Sequence, residues 1–397
     1  MAGQKQQKDI GLKILTLNCW GVPVPVVCKH RNERMPAIGD AVAKSDLDVA
    51  VFQEIWHKGD FDILKQRISK TLPYSHYFYS GSIGSGLCVF SKWPIGQTLY
   101  HRFDPNGYAH KVQHGDWFGG KGVGLAVITV GGVTLNVYIT HIHAEYNREN
   151  DEYLAHRIAQ AFSLSQFVKL TSLGADLSLV CGDLNLEPVD LGYRLILTNA
   201  GLGDCWLDKM TSDTSDKAGL TCDCPGNSYC PSKSAGKRID YILYKAGNGV
   251  EATVSKCDVT MGRVPGKAFS YSDHEGVQAE ITVKNSQNSI GPTPDPKTEV
   301  TPLLEESLGI LDEGLTVTRS GTRFFTIFAV LCLLLAYIIT VVHIPYPLDF
   351  FVGVFRVALI LATGYGVVQT LVMIRSEVHG LEAAREDVKN LLQHLKS

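Results

Sequence analysis

Charge is scarce in this chain, and so are the usual marks of secretion and nucleic-acid binding. Of 397 residues only 19% are Asp, Glu, Lys or Arg, and the formal net charge is −3. A partner held by neutralising many phosphates calls for a basic excess, so nucleic acid is not expected. Met1 to Asp9 is rich in Gln and Lys and lacks the roughly 7–15 apolar residues of a secretory signal, so the first part of the chain is expected to stay cytosolic. The ten cysteines lack the dense spacing of a small secreted scaffold, which points to reduced thiols. Cys222, Cys224 and Cys230 cluster as C-x-C-x5-C without a second pair to complete a zinc tetrahedron, and read as loop thiols or a local disulfide. A phosphate-binding P-loop is missing too, because Lys121, in its glycine-rich stretch, is followed by Gly122 and not by Ser or Thr.

Two long apolar runs are present near the end. Phe324 to Val342 carries no charge, and Phe350 to Ile374 carries only Arg356, so each can cross a hydrocarbon core roughly 30 Å thick. The turn between them, His343 to Asp349, contains two prolines, which makes a hairpin. Arg319 and Arg323 precede the first run, Arg375, Arg385, Lys389 and Lys396 follow the second, and the turn has no Lys or Arg. That bias puts both ends on the cytosolic side of a multi-pass membrane protein. Upstream, Asn285 to Pro302 has four prolines and no apolar period, and reads as a linker. The expected divisions are a soluble domain over 1–284, a linker with a short amphipathic segment (Leu303 to Leu315) over 285–318, the hairpin over 319–376 and a tail helix over 377–397. Val378, Leu381, Val388, Leu392 and Leu395 fit heptad positions, so weak self-association through the tail or hairpin stands beside a solvated amphipathic helix.

Within 1–284, eight runs read as strands: Leu12 to Asn18, Val49 to Gln53, Leu87 to Phe90, Gly124 to Val130, Thr134 to Thr140, Leu177 to Cys181, Ile239 to Tyr244 and Val277 to Val283. Helices fit Met35 to Lys44, Asp60 to Thr71, Asn150 to Thr171 and Leu191 to Asn199. Many strands flanked by helices point to an α+β sandwich of two sheets. Acidic, amide and imidazole side chains stand at the strand ends: Asn18, Glu54, His141, Asp183, Asn185, Asp240 and Asp273-His274. Each alone is an ordinary capped strand end; together they suggest one lip of a sheet. Oxygen donors such as Asn18 and Glu54 suit a hard ion like Mg2+, while His274 with Asp240 fits an imidazole that takes a proton from attacking water. Asp183 and Asn185 would position water and phosphate together, and His141 would give a positive or hydrogen-bonding group near the phosphate.

The chain resembles the endonuclease/exonuclease/phosphatase superfamily, of the deoxyribonuclease I type. The resemblance rests on Leu17-Asn18, Gln53-Glu54, Thr140-His141, Gly182-Asp183-Leu184-Asn185, Arg238-Ile239-Asp240-Tyr241 and Ser272-Asp273-His274, in family order over residues 12 to 284. It implies a four-layer α/β/β/α sandwich, Glu54 and Asn18 for metal with Asp273 joining, Asp183 and Asn185 for positioning, His274 as general base and Asp240 as its orienter. Mg2+ is the implied ion, with Mn2+ as substitute. Within that superfamily the likeness is closer to the neutral sphingomyelinases with two C-terminal spans. It is carried by Leu17-Asn18-Cys19-Trp20-Gly21, Gln53-Glu54-Ile55-Trp56, the stretch Asp116 to Gly124, Thr140-His141-Ile142-His143-Ala144-Glu145-Tyr146-Asn147 and the hairpin. This implies hydrolysis of sphingomyelin to ceramide and phosphocholine, a pairing of Asp116 with Lys121 that sets the active conformation, and an endoplasmic reticulum or other intracellular membrane. Either His141 or His143 could contact the phosphate, with family register favouring His141. Trp20, Trp56, Trp117 and Phe118 stand beside these positions as core residues or a lipid-facing rim. Lyso-phosphocholine lipids, a nuclease or phosphoinositide phosphatase on the same fold, and an inactive membrane scaffold are the competing readings.

Overall fold

A computed structural model describes residues 9–24, 26–210, 218–231, 233–247, 249–285, 296–342 and 345–397. Residues 1–8, most of the expected linker (286–295) and part of the hairpin turn (343–344) lie outside the described residues. The chain runs β1 (Ile10–Asn18), α1 (Arg31–Ala43), β2 (Val49–Gln53), α2 (Lys58–Ile68), β3 (Tyr74–Phe78), β4 (Leu87–Ser91) and β5 (Ile95–Arg102). Then follow α3 (Asp116–Gly119), β6 (Gly122–Val130), β7 (Val133–His141), α4 (Leu154–Thr171), β8 (Leu177–Asp183), α5 (Leu191–Ala200), β9 (Gly203–Asp204) and α6 (Cys205–Asp208). After β10 (Asp240–Ala246), β11 (Val250–Thr260) and β12 (Gly276–Asn285) come the long helices α7 (Pro296–Val341), α8 (Leu348–Val368) and α9 (Ile374–Lys396).

Among the described residues the strands form two six-stranded sheets, ordered β11-β12-β1-β2-β4-β3 and β5-β6-β7-β8-β10-β9. Alternate residues of each face the other sheet: Leu12, Ile14, Val49 and Val51 from one meet Val137, Ile139, Leu177 and Leu179 from the other. The outer face of the first sheet is covered by α1 and α2 through Met35, Ile38, Leu64 and Ile68. The second is covered by α4 and α5 through Ala161, Leu164, Val168 and Ile196. The four layers expected from the sequence are therefore present. Tyr74–Phe78, Ile95–Arg102 and Val250–Thr260 were not among the expected strands. Two of them, β3 and β11, lie at sheet edges, and β5 is the edge of the second sheet with mostly exposed or half-exposed residues, so none carries a clean apolar alternation.

The segment after the sandwich differs from the expected linker. Residues 296–341 form one unbroken helix, with Pro296 at its start, where a missing N–H costs nothing, and Pro302 inside it. The reason is tertiary: Val300, Leu304, Leu311 and Leu315 pack on Ala155, Ile158 and Phe162 of α4, Leu191 and Leu195 of α5, and Leu381, Val388 and Leu392 of α9. The same packing hides the tail's heptad face within its own chain. Exposed ion pairs Arg319–Glu382 at 2.6 Å, Arg385–Asp312 at 2.5 Å and Lys396–Glu305 at 2.7 Å run along the antiparallel seam of α7 and α9. Beyond this collar the apolar runs are largely exposed, unlike core helices.

The direction in which the hairpin leaves follows from three contacts. The ends of β1, β2, β7 and β8 share one edge of the sandwich, and α4 starts at that edge because it follows β7. Thr318 of α7 shares a 2.9 Å hydrogen bond with Tyr108 in the β5–α3 loop, and Phe325 sets its ring 5.2 Å from His110 of that loop. Glu377, in the first turn of α9, is buried and accepts from the Asn106 and Gly107 amides at 3.0 and 3.2 Å, with His156 of the first turn of α4 at 3.3 Å. The hairpin thus rises from the edge where β1, β2, β7 and β8 end. Glu377→Ala strands two buried amides, so it is expected to lower stability by about 1–3 kcal/mol, read as a lower unfolding midpoint of the full chain in detergent; an unchanged midpoint contradicts the docking.

Candidate functional site

Strand register assembles the cluster. His141, Asp183 and Asp240 are lateral neighbours, since β7 pairs with β8 at His141↔Asp183 and β8 with β10 at Asp183↔Asp240. Asn18 sits beside Gln53 on the other sheet, which places Glu54 one residue further out. Glu54, at φ 58°, and Asn185, at φ 48°, hold left-handed backbone that non-glycine residues adopt at a cost, and both lie where the chain turns off a strand. Gly182 (φ 147°) has no alternative, because a Cβ there would stand 2.0 Å from the Thr140 carbonyl oxygen.

The side chains converge. Asn18 Nδ2 donates to Glu54 Oε1 at 2.9 Å and to Asp183 Oδ2 at 3.0 Å, bridging the two sheets. Its oxygen accepts from the Trp20 amide at 2.9 Å, so the NH2, and not the oxygen, faces the carboxylates. His274 Nδ1 is 2.8 Å from Asp240 Oδ2, leaving its Nε2 3.9 Å from Asp183 Oδ2. Lys121, fully buried, donates to His141 Nε2 at 3.0 Å and to the Ile142 carbonyl at 2.9 Å, and pairs with Asp116. Asn185 Nδ2 donates to the same carbonyl at 3.0 Å, and its amide donates to Asp183 Oδ1 at 2.9 Å. His141 lies 3.5 Å from Asp183 and 4.0 Å from Glu54. His143 stands one layer back, beyond the end of β7: it stacks on Tyr153 at 4.0 Å and lies 3.7 Å from Asp116. Of the two histidines only His141 reaches the cluster.

Electrostatics follow from burial and crowding of like charge. Burial and the adjacent Asp240 push Asp183 up to about 7, and burial with Glu54 nearby pushes Asp273 up to about 6. Burial opposes an imidazolium at His274, but Asp240 outweighs it and holds the group well above its usual range. Burial and the Lys121 ammonium drive His141 well below, so its neutral ring accepts at Nε2 and the positive charge at this spot is Lys121's. Burial works against the Asp116 carboxylate, yet Lys121 and His143 keep its pKa well under the usual range. Asp240 Oδ1 has no partner among the described residues. Asp183, Asp240 and His274 offer ligand atoms within 4.8 Å of one another. Crowded buried carboxylates with an orphaned oxygen suit a divalent cation.

Residues 15–274 match the Endonuclease/Exonuclease/phosphatase family. The chain belongs to that family. Sphingomyelin phosphodiesterase 2 of Homo sapiens is 40% identical over 349 residues, covering 84% of this chain and 82% of that protein. The Mus musculus protein of the same name is 43% identical over 319 residues, covering 79% and 74%. Among solved structures, beta toxin from Staphylococcus aureus shares the fold with a TM-score of 0.53 at 23% identity, over 68% of this chain and 99% of that one.

Sequence reasoning missed Tyr146, whose hydroxyl donates to Asp116 at 2.5 Å, and Glu377, which reaches the site's supporting loop from a segment 271 residues away from Asn106. Tyr146 stands within the Thr140 to Asn147 motif but has no role assigned there, and no local pattern marks Glu377. The Asp116–Lys121 pair is buried in both partners, so removing the carboxylate alone leaves a buried ammonium uncompensated. Asp116→Ala is expected to cost about 3–5 kcal/mol in denaturant unfolding, and Asp116→Asn with Lys121→Met distinctly less; equal losses for the two contradict a compensating pair.

Proposed function

We propose that the protein is a metal-dependent phosphodiesterase of bilayer lipid that hydrolyses sphingomyelin to ceramide and phosphocholine. The observation that carries the reading is the pairing, in one chain, of this site with a hairpin that rises beside it, together with about 40% identity over most of the length to proteins named for that reaction. His274 Nε2 faces the cluster while Nδ1 is held by Asp240, the arrangement of a general base with its orienter. Asp240 favours the imidazolium of His274, so the ring first releases its Nε2 proton to solvent; water then attacks phosphorus, its proton passes to the freed Nε2, the phosphorus–oxygen bond to ceramide breaks, and the ceramide oxygen takes a proton from solvent. Lys121 offers charge to a phosphoryl oxygen, with Asp116 holding it there. Asp183, from the Asp183–Asp240–His274 group, would hold the ion together with Glu54 and Asp273; Asn18 orients Glu54 and Asp183 through its NH2, and Asn185 would steady Asp183. When bound, Mg2+ supplies Lewis-acid charge to the phosphoryl group and lowers the proton affinity of its neighbours.

In this reading residues 1–284 form the catalytic domain, α7 and α8 cross an intracellular membrane, and both ends lie in the cytosol. Full-length protein in detergent, with Mg2+, should release phosphocholine from sphingomyelin, and His274→Ala should reduce the rate by about 10²–10⁴-fold. Lysophosphatidylcholine and DNA assayed alongside decide the competitors: faster release from the lysolipid narrows the substrate, and DNA cleavage without phosphocholine release overturns the reading.

A further inference from the structure

The β1–α1 loop follows Asn18 directly, so it leaves the sandwich on the catalytic edge. Its sequence, Val22-Pro23-Val24-Pro25-Val26-Val27, carries no charge and no hydrogen-bonding side chain. Val24, Val26 and Val27 are 47%, 90% and 55% exposed. One exposed valine means little, but three on one tip beside the site are a concentrated apolar surface. The tip is also held in shape. The Val27 and Cys28 amides donate to the Val24 carbonyl at 3.0 and 2.9 Å, forming a turn that presents Val26. The base is fixed by the Cys28 thiol, donating to the Trp20 carbonyl at 2.8 Å, and by Arg34, whose buried guanidinium donates to the Cys19, Trp20 and Lys29 carbonyls.

Position decides what such a surface meets. The helical collar packs on α4 and α5, outside the second sheet, whereas this loop leads into α1, outside the first. The hairpin and the loop therefore flank the catalytic mouth from opposite sides, and the hairpin leaves on the same edge. A bilayer crossed by α7 and α8 then lies over that edge. A tether on one flank leaves the mouth free to tilt; an ordered apolar tip on the other flank removes that freedom. We propose that Val24, Val26 and Val27 form a membrane wedge, entering the interfacial hydrocarbon of the leaflet from which the hairpin rises and holding the mouth flat against its lipid substrate. The occupant is lipid because the loop's apolar surface and the exposed apolar runs share one edge of the molecule. The inference rests on the proposed membrane crossing and bilayer substrate.

The test uses the full chain in vesicles of phosphatidylcholine and sphingomyelin, with an environment-sensitive fluorophore on Val26→Cys and the signal of the unsubstituted chain subtracted. Leu173→Cys is the reference, because Leu173 is 79% exposed just past the far end of α4. Label at 26 should be quenched by lipids spin-labelled near the headgroup and shielded from iodide, and label at 173 should behave the opposite way. Exposure to iodide at 26 overturns the wedge, and so does shielding without lipid quenching, which would mean a protein contact. Val24→Cys gives a second position if Val26→Cys folds poorly. Replacing both Val26 and Val27 with Asp should lower turnover of vesicle sphingomyelin about ten-fold, and an unchanged rate contradicts the proposal. Alkaline extraction keeps the two levels apart: a chain that washes off the vesicles fails the membrane reading itself, whereas an integrated chain with an iodide-exposed tip fails only the wedge.

Discussion

Acidic side chains crowded together out of water constrain everything else in this molecule. Glu54, Asp183, Asp240 and Asp273 meet where two sheet edges come together, and among the described residues Lys121 and His274 face them with positive charge. Like charges at such separations repel strongly in a low-dielectric interior. Each carboxylate is held: Asn18 clasps two of them, an imidazole holds the third, the Ser272 hydroxyl donates to Asp273 at 3.2 Å, and strand register fixes the spacing of Asp183 and Asp240. The left-handed backbone at Glu54 and Asn185 belongs to the same constraint, since it is how the chain turns a side chain back toward the cluster.

The second organising feature is the way the C-terminal helices become part of the catalytic half. α7 and α9 clasp α4 and α5 along an apolar seam, and Glu377 ties α9 to the loop that leads to Asp116. The loop closes on itself, with the Phe103 amide donating to the Lys121 carbonyl at 3.0 Å. The apolar hairpin, the loop and buried Lys121 are thus joined through hydrogen bonds, and in the proposed membrane crossing the hairpin sets the face that the site turns to the bilayer.

Much of this was legible in the sequence, for identifiable reasons. Val49 to Gln53 and Leu177 to Cys181 were readable as strands because buried central strands are continuous apolar runs, and the polar residue after each run marked the site. Edge strands such as β5 and β11 were not, because their exposed faces carry Gln, Lys and Glu like any loop. The helix through 296–315 hid behind prolines and a mixed composition; what stabilises it is the surface of α4 and α5, which no local pattern reveals. Asn18 was readable as a site residue but not in its orientation, which depends on the Trp20 amide claiming its oxygen. Glu377 looked like any acidic residue of a tail helix, since burial of a single carboxylate against a distant loop is purely tertiary.

The central claim is that this carboxylate cluster exists to hold one divalent ion. Calorimetric titration of Mg2+ into the full chain in detergent tests it most directly. The account predicts saturable binding of one ion, lost in Glu54→Ala while that variant keeps its unfolding midpoint without Mg2+. Undiminished Mg2+ binding by the Glu54→Ala chain, or none by the unsubstituted one, contradicts it.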